Sequence, residues 1–285
     1  MVLDQRIYPY GYIPTEYVCI IFVVLFSVSS ALHVGQAIWY RMWWLLATAV
    51  FCGVLEILGW AARLWSSRNP ISPDPFEMQI VCTILGPTPL LAAQFIISAV
   101  MIGRLGHKYS RFVPKTYTTF FFCCDIIALV IQAVGGGMAA TALDQNKDAD
   151  KGGNIMLGGI CFQLAVIVFF ILVSAEYVYR YASDVPAKRT GEADTHRGPL
   201  TKKMLLLFAS VSFNLLCLFI RSIYRTIELS DGWTGRIITT EVYFNVLDGT
   251  MIVLAMFTLN FLHPGALLLS ETEAHREDRS FKEYA

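Results

Sequence analysis

The chain has 285 residues, 55% of them hydrophobic and only 15% charged, with a mean hydropathy of +0.54. Soluble domains run at roughly 45–50% apolar and 25% charged, so both shifts name lipid as the solvent and exclude an ordinary water-soluble enzyme. The formal net charge of zero excludes the global basic field of a nucleic-acid binder.

The N-terminal stretch MVLDQRIYPYGYIP carries an acid and two prolines ahead of any apolar run. It lacks the basic lead of a cleaved secretory signal, so the first helix is expected to serve as its own insertion signal. Seven apolar segments follow, at roughly Glu16–Tyr40, Trp43–Leu64, Met78–Leu105, Tyr117–Leu143, Ile155–Tyr181, Met204–Ile227 and Ile238–Leu262. Each supplies the ~20 residues a membrane-crossing helix needs, and a helix satisfies its own backbone in hydrocarbon. The fold expected is all-α, a polytopic seven-transmembrane-helix bundle over residues 1–265 with a tail over 266–285. In the third segment Gly86-Pro87-Thr88-Pro89 is expected to kink or break the helix. Gly135-Gly136-Gly137 in the fourth and Gly158-Gly159 in the fifth fit close helix packing. The polar loop Ser183–Lys203 reads as a mobile linker, and Ser270–Ala285 as a short tail of mixed charge. Seven cysteines (Cys19, Cys52, Cys82, Cys123, Cys124, Cys161 and Cys217) all fall inside the apolar segments without metal-ligand spacing, which reads as small apolar core positions. Aromatic residues crowd the segment ends as an interfacial belt: Trp39, Tyr40, Trp43, Trp44, Trp60, Trp65, Tyr177, Tyr179, Tyr181 and Trp233.

Lysine and arginine are unevenly placed. The first, third and fifth connections and the tail hold Arg41; Arg104, Lys108, Arg111 and Lys115; Arg180, Lys188, Arg189, Arg197, Lys202 and Lys203; and Arg276, Arg279 and Lys282. The opposite side holds Arg6, Arg68, Lys147, Lys151 and Arg236. The positive-inside rule puts the N-terminus outside and the C-terminus in the cytoplasm.

An ionisable group at the bilayer centre costs at least ~2.5–3.5 kcal/mol and is expected to face a bundle interior and find a partner. The candidates are Glu56 in the second segment, Gln94 in the third, Asp125 and Gln132 two turns apart in the fourth, Gln163 in the fifth, Arg221, Arg225 and Glu228 on adjoining turns of the sixth, and Glu241 and Asp248, stacked with Asn245, at the start of the seventh. Most map to the outer half or the middle of the bundle, which suggests a polar cavity open on the outer side. Two compatible readings follow. One is a structural ion-pair network, Arg221 and Arg225 with Glu241 or Glu228. The other is a binding site for a ligand with a polar head and an apolar body; acids outnumber arginines in the set, so an amine head would be better received than a phosphate. Catalytic signatures are thin. The sequence has no HExxH, HxxxH or GxSxG, and His33 reads as an interior histidine rather than a lone metal ligand.

Six segments together carry a resemblance: LEILGWAAR around Glu56, ILGPTPLLAAQF around Pro87, CCDIIALVIQAVGGG with Asp125 and Gln132, GGICFQ ending at Gln163, IRSIYRTIELSDG with Arg221, Arg225 and Glu228, and EVYFNVLDG with Glu241 and Asp248. In this order, and from Tyr12-Ile13-Pro14 to the end of the seventh helix, the chain resembles the fungal RTA-like proteins, the lipid-translocating exporter family. The resemblance implies a seven-helix plasma-membrane or endomembrane protein linked to outward movement of sphingoid long-chain bases, resistance to toxic amphiphiles such as aminosterols, or porphyrin and haem handling. No nucleotide-binding motif is present, so a primary ATP-driven pump is not expected. The function expected is a plasma-membrane translocator of amphiphilic lipid-like molecules, contributing to efflux or resistance. It would need no cofactor; its ligand would be an amphiphilic lipid or small hydrophobic molecule among the membrane lipids, and not nucleic acid. Two other classes stay open: a seven-helix lipid receptor or stress sensor signalling through Ser183–Lys203, and a membrane-embedded lipid-modifying enzyme using His33.

Overall fold

The computed structural model describes residues 8–112, 114–144, 147–187, 197–232 and 235–268. Trp233, Lys188, Arg189, His196 and residues 269–285, including the tail's Arg276, Arg279 and Lys282, lie outside them.

Each apolar segment is a helix, because lipid leaves the backbone no other partner than itself. Helix α1 runs Glu16–Trp39; a π-helical turn, Leu46–Val50, leads into α2, Phe51–Arg68; α3 is Pro73–Leu85 and α4 Pro87–Leu105; α5 is Pro114–Asp144, α6 Asp150–Ala182 and α7 Lys202–Ser230. The last span opens with a single turn, α8 (Glu241–Phe244), passes through a second π-helical turn, Asn245–Gly249, and finishes as α9, Thr250–Phe261. α3 and α4 count as one crossing, so among the described residues seven helical segments are long and apolar enough to cross a membrane. Starts and ends match the sequence reading to within a few residues. The proline-rich turn bends rather than breaks the third span, since Gly86, with φ −51° and ψ −49°, stays helical between α3 and α4. Thr201 caps α7, its hydroxyl accepting from the Met204 N–H at 3.2 Å.

Successive spans pack against one another, and α9 returns to both α7 and α1, closing a ring. The third span fills its centre. α4 touches α2, α5, α7 and the Leu46–Val50 turn, and 72% of the most apolar stretch of α3–α4 is buried, against 33% for α1. Small residues such as Ala92, Ala93 and Ser98 let neighbours approach it on all sides. We call the end of the bundle bearing residues 8–15 the N face and the opposite end the C face.

Two of the glycine runs have the expected role, at particular positions. A Cβ on Gly135 would lie 2.4 Å from the Met156 backbone nitrogen, and one on Gly159 would lie 3.0 Å from that of Gln132. Gly137 and Gly158 meet nothing within 4 Å. Three other expectations are corrected. Trp60 is not interfacial: it is fully buried, stacked on Phe22 at 3.9 Å and seated on Gly249. Cys123 and Cys161 are exposed on the bundle exterior, whereas Cys19, Cys52 and Cys217 are buried as expected. The described ends of the Ser183–Lys203 loop are fastened rather than free. Ala187 N–H donates to the Lys108 carbonyl at 2.8 Å, Gly198 N–H to the Leu105 carbonyl at 3.0 Å, and Tyr181 hydroxyl to the Gly198 carbonyl at 2.8 Å. A proline-containing polar loop keeps its backbone donors, and here they find the carbonyls freed at the end of α4.

Candidate functional site

The site begins with a missing proton. Pro87 has no N–H, so the carbonyl four residues earlier, that of Thr83, has no helical partner. Arg221 on α7 donates to that carbonyl. The Thr83 hydroxyl donates to the Gln79 carbonyl at 2.9 Å and accepts from Arg225 Nη2 at 2.8 Å. Two arginines one turn apart therefore dock on the bend in the third span.

Asp248 answers both. Its Oδ1 lies 2.6 Å from Arg221 Nε, while Arg225 clamps it with two bonds, Nη2 to Oδ2 at 2.6 Å and Nε to Oδ1 at 3.2 Å. Arg225 Nη1 also donates to Glu228 Oε2 at 2.8 Å, and Glu228 Oε1 accepts from the Tyr224 hydroxyl at 2.7 Å. The π-helical turn decides which residues face in. In a regular helix Glu241, Asn245 and Asp248 would share one face. The wider turn over Asn245–Gly249 buries Asp248 and Gly249 and leaves Glu241 and Asn245 half-buried, in keeping with the frequent use of such turns at functional positions.

Glu56 is the odd acid. It is 1% exposed and packs against Gly86, where a Cβ would lie 2.7 Å from its Oε1. Asp248, Arg221 and Arg225 are within its electrostatic reach. Its carboxylate lies beside the indole N–H of Trp60, one turn further along α2, but neither oxygen has a well-formed hydrogen bond. Both arginines are engaged with Asp248, and Arg225 with Glu228 as well, so the buried cluster holds two cations against three carboxylates.

Nearer the N face a second layer closes over the first. The Arg63 guanidinium, 1% exposed, donates to the Tyr12 hydroxyl at 2.6 Å, lies 3.6 Å from Glu241 Oε1, and is surrounded by the rings of Tyr10, Tyr12, Trp60 and Phe244. Glu241 is held in turn by Thr15, whose N–H and hydroxyl donate to its two oxygens at 2.8 and 2.7 Å. Residues 10–15 thus form a strap across the bundle end. The ion-pair reading is correct for Arg225 with Glu228. For Arg221 it is corrected to Asp248, because Glu241 sits a layer higher, with Arg63. The open polar cavity expected on this side is also corrected. The space left between Tyr12, Arg63, Arg225 and Glu228 is about 20 Å³, room for about one water molecule, because the carboxylates and guanidinium groups fill it themselves. A much larger hollow, about 700 Å³, lies elsewhere, between α4, α6 and α7.

The remaining candidates form a separate group. Gln163 on α6 donates to Asp125 Oδ1 and to the Thr88 hydroxyl, both at 3.1 Å, and accepts from Gln132 Nε2 at 3.0 Å. Thr83 and Thr88 stand on either side of Gly86-Pro87, so the bend is the hub of both polar clusters. Gln94 joins neither: it is fully buried and its amide has no hydrogen-bond partner. His33 is likewise interior, with Nε2 3.2 Å from the Met256 carbonyl. Sequence reasoning missed Thr83, Thr88, Tyr12 and Thr15, whereas Arg63 stands on the Glu56 face of α2, seven residues on, as the helical spacing predicts. Thr83 was within reach, since it stands four residues before a proline; the strap residues gave no such signal.

A family model described as RTA1 like protein matches residues 49–271. The chain is 27% identical to the sphingoid long-chain base transporter RSB1 of Saccharomyces cerevisiae over 90% of its own length and 73% of that protein's. It is 26% identical to the lipid-translocating exporter-like protein RTA1 of Leptosphaeria maculans over 93% of its own length and 53% of the relative's. Protein RTM1 of Saccharomyces cerevisiae is 26% identical over 71% of this chain and 62% of its own. No solved structure matches. With its seven membrane-length helices, this integral membrane protein belongs to the RTA1-like family.

Proposed function

We propose that the protein translocates amphiphilic lipids bearing an amine head group, such as sphingoid bases, and that the Glu56–Arg221–Arg225–Asp248 cluster is where the head group passes. The observation that carries this reading is Glu56, a buried acid without a well-formed hydrogen bond in a cluster where acids outnumber arginines. A buried acid can ionise when a cation arrives beside it and not when an anion does, so the position favours an amine head group. The relative named as a sphingoid long-chain base transporter supports the same class of cargo. The basic side chains described at the C face, among them Arg104, Lys108, Arg111, Arg180 and Arg197, favour a cytoplasmic C face, with the strap outside, at the plasma membrane. Glu228, Asp248 and the two arginines shape the path, while Glu241 and Arg63 guard its outer end. Asp125, Gln132, Gln163 and Gln94 complete the polar lining of the third to fifth spans. Translocation rather than bond-making is the activity, since His33 is committed to a backbone carbonyl.

Glu56→Gln separates this reading from a purely structural one. It removes the titratable carboxyl and keeps the shape, so the unfolding midpoint in nanodiscs should hold or rise. Outward movement of a fluorescent sphingoid base in proteoliposomes should fall by at least ~10-fold, as when an interaction of about 1.4 kcal/mol is lost. Unchanged flux in Glu56→Gln would overturn the proposal.

A further inference from the structure

A second feature of the bundle is a groove rather than an internal chamber. It runs between α4, α6 and α7 in the half of the bundle toward the C face and holds about 700 Å³. Its lining is almost wholly apolar, with Met101 on α4, Leu172 on α6 and Phe219 on α7 among its walls. The groove exists because the three helices face one another there with small residues: Ser98 on α4, Ala175 on α6 and Ser212 on α7. Elsewhere α4 meets its neighbours through residues such as Phe95, which packs on Phe121 and Phe170.

Three features define what fits. The groove opens sideways, past side chains such as Leu172 (61% exposed) and Leu216 (52% exposed), at a depth where the surroundings are hydrocarbon, so its occupant is apolar. Its long axis follows α6 from Val168 to Tyr179 and α7 from Phe208 to Phe219. Eleven residues at 1.5 Å make ~17 Å, a little over half of a hydrocarbon core of ~30 Å. It is therefore as deep as one leaflet and parallel to the chains of that leaflet. Its two ends differ. One reaches Tyr179, which is 68% exposed at the C face in the position interfacial tyrosines take. The other stops at Phe219, two residues before Arg221 and the charged cluster.

We propose that this groove binds the single hydrocarbon chain of a long-chain amine drawn from the C-face leaflet, with the head group at the level of Tyr179 and the chain end directed toward Phe219. This rests on the reading that the protein moves such amphiphiles and adds where the cargo is taken up. Side entry lets the chain leave the leaflet without crossing water, while the head group still has to reach the charged cluster.

The test uses the full chain in phosphatidylcholine nanodiscs, a long-chain amine carrying a diazirine in mid-chain, and peptide mapping of the adducts after illumination. Adducts are expected to concentrate on 98–102, 168–179 and 208–219. They should fall by about tenfold in Ala175→Trp and Ser212→Trp, the loss that follows when about two buried methylenes are displaced. Ile127→Trp, on an exposed face of α5, should leave them unchanged. If a filling variant does not purify as a monodisperse species, the wild-type adduct map alone decides. Adducts spread evenly around the bundle would overturn the proposal. So would Leu216→Cys chains cross-linking to one another, which would make the groove an interface between copies. Because no flux is measured, groove labelling without transport would sink only the transport reading, and transport without groove labelling only this one.

Discussion

Removing the Asp248 charge tests the architecture at its tightest point. Asp248→Asn keeps the volume and leaves two guanidinium groups facing a neutral amide. Arg225 retains Glu228 at 2.8 Å and the Thr83 hydroxyl at 2.8 Å. Arg221 keeps only the Thr83 carbonyl and loses the one carboxylate in contact with it, 2.6 Å away and 1% exposed. Breaking a buried pair from one side costs ~3–5 kcal/mol, because the surviving charge stays buried without a counter-ion. The nearby Glu56 offsets part of that, so a loss near 3 kcal/mol is expected at the low end of this range. The assay is SDS-induced unfolding from bicelles, run as a double-mutant cycle. Arg221→Met combined with Asp248→Asn should cost less than the sum of the single changes, with a coupling of ~1–3 kcal/mol as for residues in direct contact. Glu16→Gln serves as the contrast. Its carboxylate meets Arg68 at 2.6 Å with both side chains at least half exposed, so it should cost about 1 kcal/mol or less, as solvated pairs do. Asp248→Asn within ~0.5 kcal/mol of wild type, the range of a surface change, or strictly additive effects in the cycle, would refute the reasoning.

Other outcomes follow from the same contacts. Gly86→Ala pushes a methyl to 2.7 Å from Glu56 Oε1 and 3.1 Å from the Cys82 carbonyl; overpacking of this kind should lower the unfolding free energy by about 1–3 kcal/mol and change the response to Glu56→Gln. Gly135→Ala meets backbone, at 2.4 Å from the Met156 nitrogen, so α5 and α6 must part; expression and monodispersity on gel filtration should drop more than for Gly137→Ala, which meets nothing. At the C face, the hydrogen bond donated by Tyr109 holds the Asp184 carboxyl below its usual range, helped by Arg197 and Lys108. A depressed carboxyl contributes stability above its unfolded value of ~3.9 and loses it as pH falls through the lower folded value. The difference in Tm between wild type and Tyr109→Phe should therefore be flat from pH 5 to 8 and close at more acid pH, as read by thermal scans across that range.

Much of this protein was legible along the chain. Hydropathy is a local sum, so seven runs from Glu16 to Leu262 marked seven helices to within a few residues. The scarcity of ionisable groups in those runs singled out Glu56, Asp125, Arg221, Arg225 and Asp248, all of which prove to be buried. The bend at Gly86-Pro87 was equally plain, since a ring that cannot donate is a chemical fact of one residue.

Pairing was not legible, because it depends on how separately inserted helices rotate against one another. Regular helix geometry grouped Glu241 with Asp248, and one wide turn over Asn245–Gly249 sends them to different layers. Trp60 stands near the end of an apolar run and reads as interfacial, yet Gly249 on another span opens the slot that buries it. The sequence by itself determined the solvent, the number of crossings and which polar groups must hide from lipid, because each follows from the transfer energy of a short stretch. Only the tertiary structure decided that the charges close on one another with Glu56 left outside the hydrogen-bonded pairs, and that a groove opens beside α6 and α7. Those outcomes are set by packing across the bundle, which no single span contains.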